Sequence, residues 1–186
     1  MGKWSKVSKA VSVVSSDRIR GSVASLYPRM LPHIGITVTS IEKAIQSYHD
    51  ILGFHVVGRS LESSRRRFSL RPDSQRRLGR RFRGGRLAQL AGGSGVCIEL
   101  FDFSEPASDR RENNLEYSKT GINHFTIADA ALEDLARRIA ESGGKLRGQI
   151  RTLILGKPYK LAYCEDPFGN IIELYSHGTE PTWTNL

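Results

Sequence analysis

The chain lacks both a disulfide framework and a long apolar run. Its 186 residues include only two cysteines, Cys97 and Cys164, and neither lies in a CxxC motif. A disulfide scaffold and a structural zinc knuckle are therefore excluded, and a reducing compartment is expected. No apolar stretch approaches the roughly 20 residues that a membrane-spanning helix needs, so no membrane partner is expected. The length suits one core, or two small units that share a core.

Acidic residues are scarce in two segments, and these segments carry the excess positive charge. Residues 1–30 contain six Lys or Arg and one Asp, and residues 65–86 contain ten Arg and one Asp. The rest of the chain holds twelve basic and seventeen acidic residues, so the net charge of +9 belongs to two appendages. We interpret residues 1–30 as a Ser-rich basic extension, either disordered or a transit peptide, and residues 65–86 as a solvated loop insertion. We expect a cytoplasmic protein, or a mitochondrial one if a transit peptide is present, without a nucleic-acid partner.

An internal repeat is the main feature of the remaining sequence. The stretch His33–Ile36 realigns without gaps on His124–Ile127, at an offset of 91 residues. Each copy then ends on a similar seven-residue stretch, since Gly95–Phe101 matches Gly169–Tyr175. The repeat predicts two modules of one design.

Each copy predicts one strand, one helix and three further strands. Alternating apolar residues favour strands, and apolar residues at helical spacing favour helices. The predicted strands cover 33–38, 54–60, 86–91 and 95–103, then 122–128, 146–153, 159–165 and 170–176, with helices over 41–52 and 130–142. Ser40 and Asp129 are the predicted helix caps. The modules span 31–103 and 121–177, with a linker at 104–120 and a tail at 178–186.

A histidine and a glutamate occupy matching positions in the two copies. His33 and His124 open the first predicted strand, and Glu99 and Glu173 lie in the last one between apolar neighbours. Strand alternation places each carboxylate on the face opposite those neighbours. A carboxylate on an interior face is costly unless it is paired, hydrogen-bonded or bound to a metal. One such residue is typical of a structural role, but four in duplicate predict a site for one divalent ion (Zn, Ni, Co, Mn or Fe(II)) at the seam between the copies.

The repeat resembles the vicinal-oxygen-chelate superfamily. That superfamily includes glyoxalase I (lactoylglutathione lyase), methylmalonyl-CoA epimerase, extradiol dioxygenases, and fosfomycin- and bleomycin-resistance proteins. The resemblance covers about residues 31–177 and is carried by His33–Val38, Tyr48–Phe54, the two Ile-Glu-Leu phrases and Asp166–Glu173. It implies an α+β fold of two tandem βαβββ modules, which curl into an open mixed β-barrel with flanking helices around one metal ion. Members of the family close this barrel within one chain or across a homodimer.

The ligand pattern favours one branch of the superfamily. Glyoxalase I-like enzymes carry a glutamate where this chain has Glu99, whereas the epimerase has glutamine there. Extradiol dioxygenases carry a histidine shortly before the stretch that corresponds to Tyr163–Glu173, and residues 155–162 of this chain contain none. Bleomycin-binding members lack the metal ligands.

The resemblance therefore implies a glyoxalase I-like, metal-dependent lyase or isomerase. Its substrate would be a small carbonyl or vicinal-diol-type molecule, and Glu173 would be the catalytic base with Glu99 as the second candidate. The metal ligands would be His33, Glu99, His124 and Glu173, and no other cofactor-binding residue is predicted. The alternatives are an extradiol-type dioxygenase, an epimerase, or a non-catalytic small-molecule binding or resistance protein of the same fold. A homodimer is the expected assembly.

Overall fold

A computed structural model of the chain describes residues 29–60, 78–79 and 81–180. The predicted N-terminal extension (1–30) lies outside these residues except at its end, and so does most of the Arg-rich insertion (65–86). The end of the predicted tail is also outside them. None of the helices in the described residues has the length and apolar content needed to cross a membrane.

Two modules follow one another along the chain, and each begins with a strand and a helix. The first module contains β1 (His33–Thr37), α1 (Ile41–Gln46) with a π-helical continuation (Ser47–Ile51), β2 (His55–Ser60), β3 (Gly84–Ala91) and β4 (Cys97–Glu105). The second contains β5 (Phe125–Ala128), α2 (Leu132–Glu141), β6 (Lys145–Leu146), β7 (Arg151–Thr152), β8 (Lys160–Glu165) and β9 (Ile171–Tyr175). This order confirms the predicted βαβββ repeat.

The two sheets share one topology. The first has the strand order β1-β4-β3-β2, and the second has the order β5-β9-β8-β6, with β7 also paired to β8. In each sheet the first strand of the module runs parallel to the last, and the other pairs are antiparallel. The described strands form two mixed sheets without closing into a barrel, as an open, curled α+β fold requires.

One predicted helix cap is confirmed in position and the other is wrong. Ser40 is the N-cap of α1, but its side chain makes no capping bond. Instead Asp102 of β4 accepts the N–H of Ile41 at 3.1 Å, so the sheet supplies the cap. Helix α2 begins two residues later than predicted, with Ala131 as N-cap, and the Asp129 carboxylate accepts the Ala131 N–H at 2.8 Å.

Several predicted boundaries were wrong. The predicted strand 146–153 is two strands of two residues each, β6 and β7. Gly148 lies between them with φ of +87°. Glycine is favoured at such positive φ values, which do not occur in regular strands. Strand β5 begins at Phe125, so His124 lies just before the strand that it was predicted to open. The predicted helix 41–52 is α-helical only to Gln46 and then widens into π-helical geometry.

The modules share one hydrophobic core. Tyr48 of the first module is fully buried and stacks on Phe125 of the second, with ring centroids 6.3 Å apart. Its hydroxyl donates to the Asp166 carboxylate at 3.0 Å. Asp166 also accepts the N–H groups of Phe168 and Asn170, which fixes the turn between β8 and β9. Burial raises the pKa of Asp166 although these donors oppose the shift, and burial together with the Asp166 charge raises the pKa of Tyr48.

Candidate metal-binding and catalytic site

The first histidine and glutamate form a pair on the edge of the first sheet. His33 Nε2 lies 3.5 Å from Glu99 Oε2, because β1 and β4 run parallel with Gly35 opposite Glu99. The amide of Gln89, on β3, donates to Glu99 Oε1 at 3.3 Å. A side chain at Gly35 would crowd the Phe101 ring, since its Cβ would lie 3.3 Å from that ring. The His33 side chain is 46% exposed and the Glu99 side chain 17% exposed, so this pair is open to solvent.

The second pair has the same geometry in a more enclosed setting. His124 Nε2 lies 3.4 Å from Glu173 Oε2, and the Glu173 side chain is only 9% exposed. Glu173 Oε1 accepts the Tyr163 hydroxyl at 2.5 Å, and Oε2 accepts the Thr126 hydroxyl at 2.9 Å. Strands β8 and β5 supply these two donors on either side of β9. The second carboxylate is therefore held by two hydroxyl groups as well as by its histidine.

Tyr163 remains a hydrogen-bond donor at physiological pH. Burial raises the pKa of its hydroxyl, and the hydrogen bond and negative charge of Glu173 raise it further. The ring meets the His124 imidazole edge-on, with centroids 5.6 Å apart. Tyr163 thus contacts both members of the second pair.

The two ring nitrogens of His124 contact different side chains. Nδ1 lies 2.5 Å from Asn123 Oδ1, so a neutral ring that donates its proton to this oxygen carries that proton on Nδ1. In the neutral ring the lone pair of Nε2 then points at a carboxylate oxygen. Two lone-pair donors at this separation repel each other unless a proton or a metal ion lies between them. Metal-binding histidines commonly donate their other ring N–H in this way.

Each pair fits half of a metal site. Nitrogen and oxygen ligands at zinc-like bond lengths lie about 3.4 Å apart around a tetrahedral ion. The two observed separations, 3.5 and 3.4 Å, match that edge. Within residues 29–60, 78–79 and 81–180, however, no three His, Cys, Asp or Glu side chains form a cluster that could hold a metal. The structure brings together the members of each pair, but it does not bring the two pairs together within one chain.

Two site residues were missed by the sequence analysis as site residues. Tyr163 lies directly opposite Glu173 in the β8–β9 register, and Thr126 lies opposite it on β5. Residues opposite each other on neighbouring strands project from the same face. The predicted strands contained both residues but carried no register, and the strand pairing that places them beside Glu173 is the signal that could have found them.

A cavity of about 680 Å³ adjoins the second pair. His124 and Tyr163 form part of its wall, Lys145 and Arg147 contribute positive charge, and apolar atoms come from side chains such as Leu146. Its volume falls within the usual range for small-molecule sites.

The family model of the Glyoxalase/Bleomycin resistance protein/Dioxygenase superfamily matches residues 30–174. The chain belongs to this superfamily. The match spans both modules, and the superfamily includes enzymes such as glyoxalase I. A comparison with curated protein sequences found no match.

Several solved structures share this fold. A glyoxalase family protein from Bacillus cereus is 22% identical with a TM-score of 0.62, over 83% of this chain and 97% of that one. Glyoxalase I from Zea mays is 20% identical with a TM-score of 0.55, over 80% of this chain and 44% of that one. The fosfomycin resistance protein FosX from Mesorhizobium loti is 17% identical with a TM-score of 0.51, over 86% of this chain and 100% of that one. These similarities confirm the predicted fold.

Proposed function

We propose that this protein is a glyoxalase I-like, metal-dependent lyase or isomerase that transfers a proton within a small carbonyl substrate. The observation that carries the proposal is the repeated His–Glu pair, with nitrogen–oxygen separations of 3.5 and 3.4 Å at matching positions of two modules. Two such pairs supply the four nitrogen and oxygen donors of a divalent metal site.

The metal site would be assembled from two copies of the chain. His33 and Glu99 of one copy would meet His124 and Glu173 of another, because the two pairs remain apart within a single chain. A homodimer with two-fold symmetry would contain two such sites, one at each end of the interface. The bound ion would supply Lewis-acid stabilisation of negative charge developing on a substrate oxygen.

Glu173 is the proposed general base. Its carboxylate would accept the proton from the carbon beside the substrate carbonyl and return it to the neighbouring carbon, which leaves the redox state unchanged. The Tyr163 hydroxyl orients Oε1 and the Thr126 hydroxyl orients Oε2, so the base is held in one position. Glu173 is only 6% exposed, which limits contact of its carboxylate with water.

Glu99 is proposed mainly as a metal ligand, and it is the second candidate for the general base. Within the part of the chain that the structure describes, its side-chain donor is Gln89 at 3.3 Å, so the carboxylate is less firmly oriented than that of Glu173. The glutamine found in the related epimerase at this position fits a role that does not require a base. Because residues 155–162 contain no histidine, ring cleavage would lack its acid–base group, which disfavours the dioxygenase alternative.

Metal content tests the site directly. Elemental analysis should find about one divalent ion per chain in the wild-type protein, and loss of that ion in His33→Ala and His124→Ala. His55→Ala is the matched control, since His55 is an exposed histidine outside the pairs. Retention of the ion in both His33→Ala and His124→Ala would contradict the proposed ligand set.

A mixed dimer tests whether two copies share the site. A heterodimer of one His33→Ala chain and one His124→Ala chain, isolated through two different affinity tags, should regain one intact site. Each parent homodimer should have none. A mixed dimer that binds no more metal than its parents would show that the pairs do not combine across chains.

A further inference from the structure

A buried carboxylate in the second module is surrounded by more positive charge than it can neutralise. Glu165, at the end of β8, has a side chain only 6% exposed. Lys145 Nζ lies 3.1 Å and Arg110 Nη2 lies 3.3 Å from Glu165 Oε2, and Arg147 forms an ion pair with Oε1. One negative charge therefore faces three cations.

The same cations border two cavities. A polar cavity of about 190 Å³ contains Glu165 in its wall, and there four cationic side chains face two carboxylates, because Arg111 and Glu112 join the set. Lys145 and Arg147 also line the cavity of about 680 Å³ beside His124 and Tyr163. That larger cavity has no Asp or Glu among its lining residues.

Excess positive charge in a concave, partly buried region favours an anionic ligand. Clefts lined by charge of one sign concentrate counter-ions, and the field is strongest where the walls exclude water. Arginine binds carboxylates and phosphates with two parallel hydrogen bonds, and lysine binds them as a point charge. The side chains of Leu115 and Leu146 and the aromatic ring of Tyr117 continue the wall of the larger cavity beside these cations. The chemistry of the wall matches a molecule with an apolar body and an anionic end.

We propose that Lys145 and Arg147 form an anion-binding subsite of the larger cavity, with Glu165 as an internal competitor for the ligand. The subsite would take the carboxylate or phosphate group of a substrate whose body rests on the apolar wall. This inference rests on the proposed function only in assigning the cavity beside His124 and Tyr163 to the substrate. Without a ligand, Glu165 neutralises part of the cationic charge; with a ligand bound, the cations are shared between two anions.

Three probes with one aromatic body test the subsite by isothermal titration calorimetry of the full chain. They are 1-naphthol, 1-naphthoate and 1-naphthyl phosphate, which differ in carrying no anion, a carboxylate or a phosphate. At least one anionic probe should bind about tenfold or more tightly than 1-naphthol, the scale of a hydrogen bond to a charged group. The tighter of the two anions then identifies the chemical class of the substrate. Equal affinity for all three probes would overturn the proposal.

Variants of the subsite should change anion affinity in opposite directions. Lys145→Gln and Arg147→Gln should each weaken the preferred anion about tenfold and leave 1-naphthol unchanged, whereas Glu165→Gln should tighten the anion severalfold. Lys157→Gln is the control, since Lys157 is an exposed cation outside both cavities. Wild-type anion affinity in both cation variants would overturn the subsite, and unchanged or weaker affinity in Glu165→Gln would overturn the competitor role.

Folding and metal binding are measured separately from anion binding. Circular dichroism confirms that each variant is folded, and retained binding of 1-naphthol confirms that the cavity is intact. Metal content of the same preparations reports on the His–Glu pairs without any anion. Loss of anion binding with intact metal binding would contradict the anion subsite but not the proposed function. Loss of metal binding with intact anion binding would contradict the proposed function but not the anion subsite.

Discussion

The two modules place their histidine and glutamate in the same register but surround the glutamate with different donors. In the first module Glu99 lies between Gly35, which has no side chain, and Gln89 at 3.3 Å. In the second module Glu173 lies between Thr126 at 2.9 Å and Tyr163 at 2.5 Å. The repeat thus fixes the position of a carboxylate, and the neighbouring strands decide how firmly it is held.

This difference divides the proposed roles between the modules. A carboxylate oriented by two hydroxyl groups and largely shielded from water is suited to repeated proton transfer in one geometry. A more exposed carboxylate with one long hydrogen bond is suited to ligation, where the ion itself fixes the geometry. Matched substitutions in the two modules test whether Glu99 and Glu173 have different roles.

The largest difference is expected between Glu173→Gln and Glu99→Gln. Glu173→Gln should lower kcat by about a thousandfold, because it removes the general base. Glu99→Gln should lower kcat less than tenfold once the metal is saturating, because an amide oxygen still ligates. The measurement is turnover of an α-carbonyl substrate, beginning with the hemithioacetal of methylglyoxal and glutathione, at several metal concentrations. A larger loss in Glu99→Gln at saturating metal would reverse the two roles.

A smaller difference is expected between the residues that orient the glutamates. Tyr163→Phe should lower kcat about 10- to 100-fold, the scale seen when a hydrogen bond behind a metal ligand is removed. Gln89→Leu in the first module should change kcat by no more than about threefold, because a hydrogen bond of 3.3 Å is long and weak. Steady-state kinetics should show the loss in kcat with little change in KM. Equal effects of the two substitutions would contradict the proposal that Glu173 is held more firmly than Glu99.

The smallest effect concerns the seam that joins the modules. Tyr48→Phe removes the first-module hydroxyl that donates to Asp166 of the second module. The free energy of unfolding should fall by about 1–2 kcal/mol, because a buried carboxylate loses one of its donors. Urea unfolding measures the change, and Tyr117→Phe serves as the control because that side chain is 78% exposed. A single cooperative transition in both proteins would confirm that the modules unfold as one unit, whereas two separate transitions would show that the modules are independent.

Most of the fold was predictable from the sequence because apolar periodicity is strong where strands and helices pack on the shared core. The predicted positions of β1, β4, β8 and β9 lie within a few residues of the observed ones. The predictions were wrong at Gly148, where a positive φ interrupts the strand, and at the end of α1, where the backbone widens into π-helical geometry. Neither event changes the pattern of apolar residues enough to be seen in it.

The candidate site, like the fold, was predictable from the sequence only in part. The repeat was enough to identify His33, Glu99, His124 and Glu173, because identical positions in two copies are visible without a structure. Their distances were not visible, and neither was the separation of the two pairs within one chain. The hydrogen bonds from Tyr163 and Thr126 depend on strand register, which brings together residues that are 10 and 47 positions from Glu173.

The two modules, their family resemblance and the repeated His and Glu residues could be identified from the amino-acid sequence, since each depends on a local pattern that recurs along the chain. The three-dimensional fold was needed to show which carboxylate is buried, which donors hold it, and how Lys145, Arg147 and Arg110 gather around Glu165. This is because burial and hydrogen bonding are set by contacts between distant segments. Sequence periodicity records which face of a strand is buried, but it does not record which side chain from another strand lies beside it.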